Sequence, residues 1–349
     1  MKSLFIGSAS GFSGKSLTAI CLGKILQEKG LKVGFFKPFG TAPCMECDAV
    51  ADEDAVNIKR ILNLDDPVAD ISPLVLTHDL MMKVYKGELT GQKQAIASAY
   101  ERICKGKDIV LIGGGRTISE GRALGVPSTE LIKEYDWPCL VVDRFYNKVS
   151  IDILLAYKNI LKDRMKGLIL NRLEDHNRNY VEKLIVPFLA KQDIEVVGLI
   201  PNDTTLSAVS VSALCTALGG EQLSAQHAGD MLVHNFVVGA MNVEQAHRRF
   251  RKRQNKAVIT GGDRVDLQVA ALETSTNLLI LTGGISPHPM ITAKAEELGV
   301  PVIVVSEDTM SVVGKIEELV GRPRMREQEK VDRALQLFRD NVDLSKLGF

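Results

Sequence analysis

The sequence has few aromatic residues and no excess of charge of either sign. Phe, Trp and Tyr make up 5% of its 349 residues, and there is a single tryptophan. Its 43 basic residues match its 43 acidic residues, so no net charge drives the protein towards nucleic acid or a membrane surface. With 45% apolar residues, the composition is that of an ordinary globular protein.

Long apolar runs and clustered cysteines are also missing. No apolar run reaches the roughly 18 residues of a membrane helix. The start, MKSLFIGSAS, has neither the apolar region nor the cleavage site of a signal peptide. The six cysteines are scattered, and several lie in apolar stretches, as buried free thiols do in a reducing compartment. We therefore expect a cytoplasmic protein without a membrane contact.

Short apolar runs alternate with amphipathic segments from Met1 to about Val211, which is typical of βαβ units on a parallel sheet. The expected helix after the first strand covers Ser16 to Lys29. The fold class predicted here is α/β, with a doubly wound, mostly parallel sheet. The strands of this sheet are predicted at residues 3–6, 33–36, 108–112, 138–142, 167–170 and 194–200.

A small, polar stretch at residues 217–229 interrupts this alternation, which then restarts. The sequence therefore predicts a first domain over residues 1–212, a smaller α/β domain over 222–322, and a C-terminal helix and tail over 323–349. In the second domain, strands are expected at residues 258–260, 278–281 and 302–305. The final helix, predicted over Glu327 to Arg339, either packs back or contacts a partner.

The stretch ASGFSGKS, residues 9–16, fits the Walker A pattern with alanine in place of the first glycine. Its glycines allow backbone N–H groups to turn towards phosphate oxygens, and the following helix presents its positive end. Lys15 is expected to reach the β- and γ-phosphates, and the Ser16 hydroxyl to ligate Mg²⁺. The predicted ATP-binding residues of the loop are Gly11, Phe12, Ser13, Gly14, Lys15 and Ser16.

Beyond the loop, the order GSASGFSGKS, FFKPFG and DEDAVNIKRIL resembles the dethiobiotin synthetase-like P-loop proteins. It is closer to their relatives in the N-terminal region of long bacterial phosphotransacetylases. Asp263-Arg264 and Thr282-Gly283-Gly284 resemble the DRTGG domain that follows the P-loop domain there. The resemblance covers about residues 1–322 and implies a P-loop domain followed by a DRTGG-like domain.

By this resemblance, Lys37 corresponds to a catalytic lysine that points at the phosphates and substrate. Its place at a strand end is where ligands of doubly wound folds bind, although a surface lysine is the alternative. Asp54 corresponds to an acid near Mg²⁺. Asp48, Asp52 and Glu53 crowd the same region, and the cluster could equally be a solvated helix start.

Gly113 is the main departure, since dethiobiotin synthetases carry an acid at this strand end. A Mg²⁺ ion held by Ser16 and Asp54 alone would depend more on water and nucleotide oxygens, which Mg²⁺ tolerates. Nucleotide binding would then be retained, while ATP turnover would weaken. Asn171 resembles the asparagine that reads adenine in the same enzymes, because an amide can donate and accept. A turn-forming asparagine is the equal alternative.

Three other features are weaker evidence for a functional site. The spacing of Cys44 and Cys47 suits a metal or redox site, but no second pair completes one. The basic run over residues 247–253 is interpreted as a helix end, with an anion or nucleotide site as the alternative and nucleic acid not favoured. The glycine pairs at residues 261–262 and 283–284 form either tight turns or a ligand pocket.

The sequence supports two main functional hypotheses. The first is a regulatory sensor that couples ATP and Mg²⁺ in the P-loop domain to a small ligand or protein partner at the second domain. The chain ends before a phosphotransacetylase catalytic domain could fit, so we expect no acetyltransferase activity. The second is an ATP-dependent ligase that activates a carboxylate or carbamate, with a cobyrinate-type amidation enzyme as a weaker third hypothesis. A homo-oligomer fits each of them.

Overall fold

The computed structural model describes residues 1–46, 49–145, 150–321 and 328–348. The chain divides into two compact units. The first unit contains residues 1–202 and 325–349, and the second contains residues 203–324. No helix within the described residues is long and apolar enough to cross a membrane.

A six-stranded parallel sheet forms the centre of the first unit, in the order β10-β9-β8-β1-β7-β2. The P-loop follows the central strand β1, whose neighbours are β7 and β8. The strands of this unit are β1 (Lys2–Gly7), β2 (Val33–Phe36), β3 (Phe39–Gly40), β4 (Pro43–Glu46), β5 (Ala49–Asp52), β6 (Leu74–Val75), β7 (Ile109–Gly113), β8 (Cys139–Arg144), β9 (Met165–Leu173) and β10 (Val196–Pro201).

Helices connect the parallel strands of this sheet, and α2 and α4 begin with side-chain caps. Asp52 caps α2 by accepting from the N–H of Ala55, and Thr77 caps α4. The helices are α1 (Lys15–Glu28), α2 (Glu53–Leu62), α3 (Val68–Ile71), α4 (His78–Tyr85), α5 (Gln92–Cys104), α6 (Ser128–Glu134), α7 (Ser150–Leu161), α8 (Asp175–Tyr180) and α9 (Val186–Ala190). The predicted doubly wound, mostly parallel fold is confirmed.

Two small strand pairs lie outside the central sheet. β3 pairs in parallel with β6, and β4 pairs with β5 as an antiparallel hairpin in which Met45 faces Val50. Both side chains are exposed. The sequence analysis did not predict this hairpin, because its strands bury too little apolar surface to show a periodic pattern. The hairpin carries the chain from the end of β2 to the acidic start of α2.

The second unit is built on a five-stranded sheet in the order β12-β17-β16-β15-β14, in which only the short β12 runs antiparallel. Apolar clusters cover both faces of the sheet. Its strands are β11 (Val209–Ser210), β12 (Glu221–Gln222), β13 (Leu232–Val233), β14 (Asn235–Val238), β15 (Lys256–Gly261), β16 (Thr276–Thr282) and β17 (Val302–Val304). The predicted strands correspond to β15, β16 and β17, whereas the edge strand β14 was not predicted.

Helices pack on both faces of this second sheet. The basic run over residues 247–253 falls at the end of α12, as its interpretation as a helix end requires. The helices of this unit are α10 (Thr204–Ser207), α11 (Val211–Leu218), α12 (Val243–Phe250), α13 (Val265–Leu272), α14 (Pro289–Glu297) and α15 (Thr309–Gly321).

The C-terminal helix α16 (Gln328–Asn341) packs on the first unit. Val342, directly after it, forms an antiparallel bridge with Gly198 of the edge strand β10. Arg339 also forms an ion pair with Glu28 of α1 at 2.5 Å. Of the two alternatives for this helix, the structure has it packed back. Its predicted first residue, Glu327, lies outside the described residues, and the predicted domain limits stay predictions.

Candidate nucleotide site

The predicted phosphate loop connects the end of β1 to the first residue of α1. Phe12 adopts φ 56° and Gly14 adopts φ 102°, so the chain makes a tight left-handed turn before the helix. A Cβ at Gly14 would lie 2.2 Å from Nδ2 of Asn171. Glycine is therefore required at this position both by its φ angle and by the neighbouring amide. Its conformation starts α1 with the helix N–H groups at the loop.

Lys15, the first residue of α1, points back across the loop. Its Nζ donates to Oγ of Ser8 at 2.6 Å and to the carbonyl oxygen of Arg116 at 2.9 Å. Burial lowers the pKa of Lys15 to about 8, although the charges of Asp143 and Asp54 act in the opposite direction. An ammonium held by two neutral oxygens in a partly dry site is well placed to gain a phosphate oxygen.

Asp143 is a further residue of the loop, and the sequence analysis missed it. It is buried near the carboxyl end of β8, beside β1. Its carboxylate accepts from the N–H of Ala9 at 2.8 Å and from the hydroxyl of Ser10 at 2.5 Å. An aspartate directly after the apolar run LVV was the available signal, since the carboxyl ends of parallel strands share one edge. Asp143 therefore fixes the first half of the phosphate loop.

Lys37 lies directly after β2 and is 2% exposed. Its Nζ contacts Oδ1 of Asp52 at 2.7 Å and Oδ2 of Asp54 at 2.8 Å. Burial alone would lower the pKa of Lys37, but the charges of Asp54 and Asp52 and their hydrogen bonds outweigh it, so the pKa is raised. A surface lysine is therefore excluded, since this ammonium is buried and doubly paired.

The acidic cluster divides into side chains with different environments. Asp52 is fully buried, where it pairs with Lys37, caps α2 and accepts from the N–H of Ala42 at 3.1 Å. The side chain of Asp54 is 37% exposed and has one oxygen on Lys37. Asp48 lies outside the described residues. Asp54 is thus the better candidate for a metal ligand, because it reaches solvent at the site.

The sequence resemblance predicts an acid where Gly113 lies, and the local packing explains the glycine. Gly113 ends β7 and pairs with Ile6 of β1. A Cβ at Gly113 would lie 2.9 Å from Cζ of Phe35 and 3.8 Å from Cγ of Lys37. The ring of Phe35 therefore fills the direction in which an acidic side chain would leave the backbone. No carboxylate fits here without a shift of that ring.

Asn171 lies on β9 and is 7% exposed. Its Nδ2 donates to the carbonyl oxygen of Ser13 at 2.8 Å, and its Oδ1 accepts from the N–H of Arg172 at 2.9 Å. Both ends of the amide thus hold backbone groups, one of them in the phosphate loop. This bracing contact was not predicted. The role of Asn171 in reading adenine stays a prediction.

The parallel sheet brings the predicted site residues to one edge, because β1, β2, β7, β8 and β9 all end there. Ser16 follows Lys15 on α1 and is partly exposed. The charge of Asp54 acts on Lys15, which places both around the loop. Within the described residues, no group of three or more His, Cys, Asp or Glu side chains could hold a metal ion. A Mg²⁺ ion on Ser16 and Asp54 would need nucleotide and water oxygens as well, which suits this metal.

The remaining features of the sequence are the cysteine pair and the two glycine pairs. Cys44 is a free thiol, and Cys47 lies outside the described residues. Gly283 and Gly284 adopt φ 86° and 67°, and a Cβ at Gly262 would lie 2.1 Å from the carbonyl oxygen of Ile285. Gly283 and Gly284 therefore form a tight turn at the carboxyl end of β16, whereas Gly262 allows the chain after β15 to approach the backbone of Ile285 closely.

The family described as the AAA domain matches residues 2–210, which include the whole phosphate loop and Asn171. The chain belongs to the AAA domain family. A second family, the DRTGG domain, matches residues 213–319. The AAA domain and DRTGG domain thus follow each other in the order that the sequence resemblance predicted, and that resemblance is confirmed.

Relatives of this AAA domain protein include phosphate acetyltransferases and dethiobiotin synthetases. A phosphate acetyltransferase of Synechocystis sp. is 21% identical over 99% of this chain, and the match covers 51% of that protein. The chain therefore spans about half the length of the phosphate acetyltransferases that it matches. The ATP-dependent dethiobiotin synthetase BioD of Methanococcus vannielii is 23% identical over 56% of this chain and 92% of its own length. The solved MinD cell division protein of Aquifex aeolicus is 19% identical, with a TM-score of 0.34, and covers 59% of this chain and 84% of its own.

Proposed function

We propose that the AAA domain binds ATP with Mg²⁺ and that this protein is a nucleotide-dependent sensor or regulator. The observation that carries the proposal is the position of Lys15, which is held across the loop by neutral oxygens of Ser8 and Arg116. Incoming phosphate oxygens can replace these contacts with charge-assisted ones. The N–H groups of residues 11–16 and the start of α1 provide further donors.

In this proposal, Ser16 and Asp54 hold the Mg²⁺ ion that accompanies the nucleotide. The ion would supply charge neutralisation between phosphate oxygens. Lys37 lies close enough to share Asp54, which it contacts at 2.8 Å, and is proposed to face the terminal phosphate. Because Asp54 serves both Lys37 and the ion site, nucleotide binding is coupled to the ion pair that anchors the start of α2.

A regulator is favoured over a fast catalyst because the position of the family acid is blocked. With Phe35 packed against Gly113, the protein would contribute one carboxylate fewer towards holding and orienting the Mg²⁺ ion. Slow hydrolysis would leave the nucleotide state long-lived, as a sensor requires. We propose that the DRTGG domain responds to this state through a ligand or partner of its own. The site of action is proposed to be the cytoplasm, where the five described cysteines would stay free thiols.

Calorimetric titration tests the proposal most directly. Purified protein is titrated with ATP and ADP, with and without Mg²⁺, beside the Lys15→Ala variant and a phosphate-release assay. Lys29→Ala, which removes an exposed lysine at the end of the same helix, is the control. We expect Mg²⁺-dependent binding that is lost only in Lys15→Ala, with slow phosphate release. Absence of nucleotide binding to the unmodified protein would contradict the proposal.

The alternative is an ATP-dependent ligase, favoured by the buried Lys37 at the site and by the relatives named dethiobiotin synthetase. In that mechanism Lys15 and Lys37 would neutralise charge on the phosphoryl group during transfer to a carboxylate or carbamate. The test is ADP release in the presence of a diamine and carbonate. A large acceleration by these substrates, abolished in Lys37→Met, would replace the sensor proposal.

A further inference from the structure

The second unit contains a cleft between the end of α12 and the edge strand β14, with a cavity volume of about 550 Å³. This volume lies within the range of small-molecule sites, roughly 300–1,000 Å³. Phe236 of β14 forms part of its apolar wall. The opposite wall carries four cationic side chains from one short stretch of chain: Arg248, Arg249, Lys252 and Arg253.

The cations of this cleft are poorly neutralised. Arg248 forms an ion pair with Glu244 at 2.7 Å, and Arg253 donates to the neutral amide oxygen of Asn235 at 3.3 Å. Within the described residues, the side chains of Arg249 and Lys252 have no hydrogen bond or ion pair. The cleft thus concentrates positive charge in a protein whose overall charge is zero.

Stabilisation of the helix end does not account for this charge. The carbonyl end of a helix is equivalent to about half a negative charge, and its effect fades within one turn. Residues 248–253 contain five cations, four of which line the cleft, and this exceeds what that partial charge can balance. They also face a cavity with an apolar wall, rather than spreading over an open helix surface. The arrangement fits a small ligand with several negative charges.

The edge strand β14 offers an alternative occupant, a second copy of the chain pairing strand to strand. A two-fold symmetric pair at this edge would place each set of four cations close to its symmetry mate. Because like charges repel, such a pair would be disfavoured unless an anion lay between the two sets. The charge therefore favours a ligand over direct self-association.

We propose that this cleft binds a polyphosphate anion, either free or as the phosphate chain of a nucleotide. Arg249 and Lys252 provide the main charge-assisted hydrogen bonds, with Arg248 and Arg253 beside them. Phe236 gives the cleft one apolar wall, against which a nucleoside could lie. The site uses no residue of the phosphate loop, so a substitution in that loop leaves every side chain of the cleft in place.

The test uses the full chain with Lys15→Ala, so that the phosphate loop does not contribute. Tripolyphosphate, ATP and AMP are titrated separately by calorimetry without Mg²⁺, at low salt and near 0.15 M salt. The Arg249→Ala/Lys252→Ala pair is compared with Lys93→Ala/Lys133→Ala, which removes the same charge from exposed helix positions of the first unit. Circular dichroism shows whether each variant is folded.

We expect tripolyphosphate and ATP to bind more tightly than AMP, and the cleft pair to lose at least about tenfold in affinity while the control pair does not. Tighter binding of ATP than of tripolyphosphate would show that the nucleoside contributes, whereas equal binding would assign the site to the phosphate chain alone. Either result supports the site. Equal affinity in the two variant pairs, no binding of either ligand, or tighter binding of an acidic peptide or single-stranded oligonucleotide would overturn it.

Discussion

The ring of Phe35 occupies the space beside Gly113, where a Cβ would come within 2.9 Å of its Cζ atom. These residues lie on the neighbouring strands β2 and β7, both of which end at the phosphate loop edge. The aromatic ring therefore packs into the space that the glycine leaves free. The sequence resemblance leads one to expect an acid at position 113, so this glycine leaves the site with one negative charge fewer.

Restoring an acid at this position should strain the sheet. We expect Gly113→Asp to lower the free energy of unfolding by about 1–3 kcal/mol, because the new side chain overlaps Phe35. In Gly113→Asp/Phe35→Ala the total loss should be smaller than the sum of the single losses. Urea unfolding measures all three variants, with Gly314→Asp as a control in open space. Strictly additive losses would show that the ring does not block the position.

The depressed pKa of Lys15 predicts proton uptake on nucleotide binding. Near pH 8 about half of the free protein carries a neutral Lys15, and phosphate oxygens favour the charged form. Binding should then take up as much as about half a proton, and affinity should fall as the pH rises through this value. Titrations in buffers of different ionisation enthalpy measure the uptake. Lys15→Arg should bind without it, and the same uptake in that variant would contradict the assignment.

Asp143 should influence the pKa of Lys15 and also support the phosphate loop. Asp143→Ala leaves the N–H of Ala9 and the hydroxyl of Ser10 without their acceptor, so we expect a stability loss of about 1–3 kcal/mol. Asp143→Asn keeps one acceptor oxygen and should cost less. Because the charge of Asp143 raises the pKa of Lys15, its removal should shift proton uptake to lower pH. An unchanged uptake profile in the asparagine variant would argue against this coupling.

The ion pair between Lys37 and Asp52 should behave as a buried pair. Lys37→Met leaves a fully buried carboxylate without its cation, at a cost of about 3–5 kcal/mol in the free energy of unfolding. Lys37→Met/Asp52→Asn should recover part of this loss, since asparagine can still cap α2. Lys83→Met serves as an exposed control. If the double variant is less stable than Lys37→Met, the pairing is not the main role of Asp52.

Two roles of Asn171 can be separated by comparing nucleotides. Its Nδ2 braces the carbonyl oxygen of Ser13, so we expect Asn171→Ala to weaken ATP and GTP binding by a similar factor. Affinity measurements with both nucleotides, and with tripolyphosphate as a base-free ligand, provide the comparison. A loss confined to ATP would instead support the sequence-based prediction that Asn171 reads adenine.

The sequence by itself determined the sheet, the phosphate loop and the edge where the site lies. Short apolar strands between amphipathic helices have a clear period, and a Walker loop is contiguous in the chain. These signals are local, so they can be detected without knowing which strands are neighbours. The β4–β5 hairpin escaped detection because it buries little apolar surface. The edge strand β14 was missed because its apolar run is only three residues long, although all three side chains pack against the core.

Only the tertiary structure decided the environment and role of each acidic residue. Asp52 and Asp54 are two residues apart, yet one is fully buried against Lys37 and the other reaches solvent. The role of Asp143 and the packing of Phe35 on Gly113 depend on contacts between separate strands. Such contacts follow from strand order and side-chain packing, which are properties of the folded chain and leave no fixed spacing in the sequence.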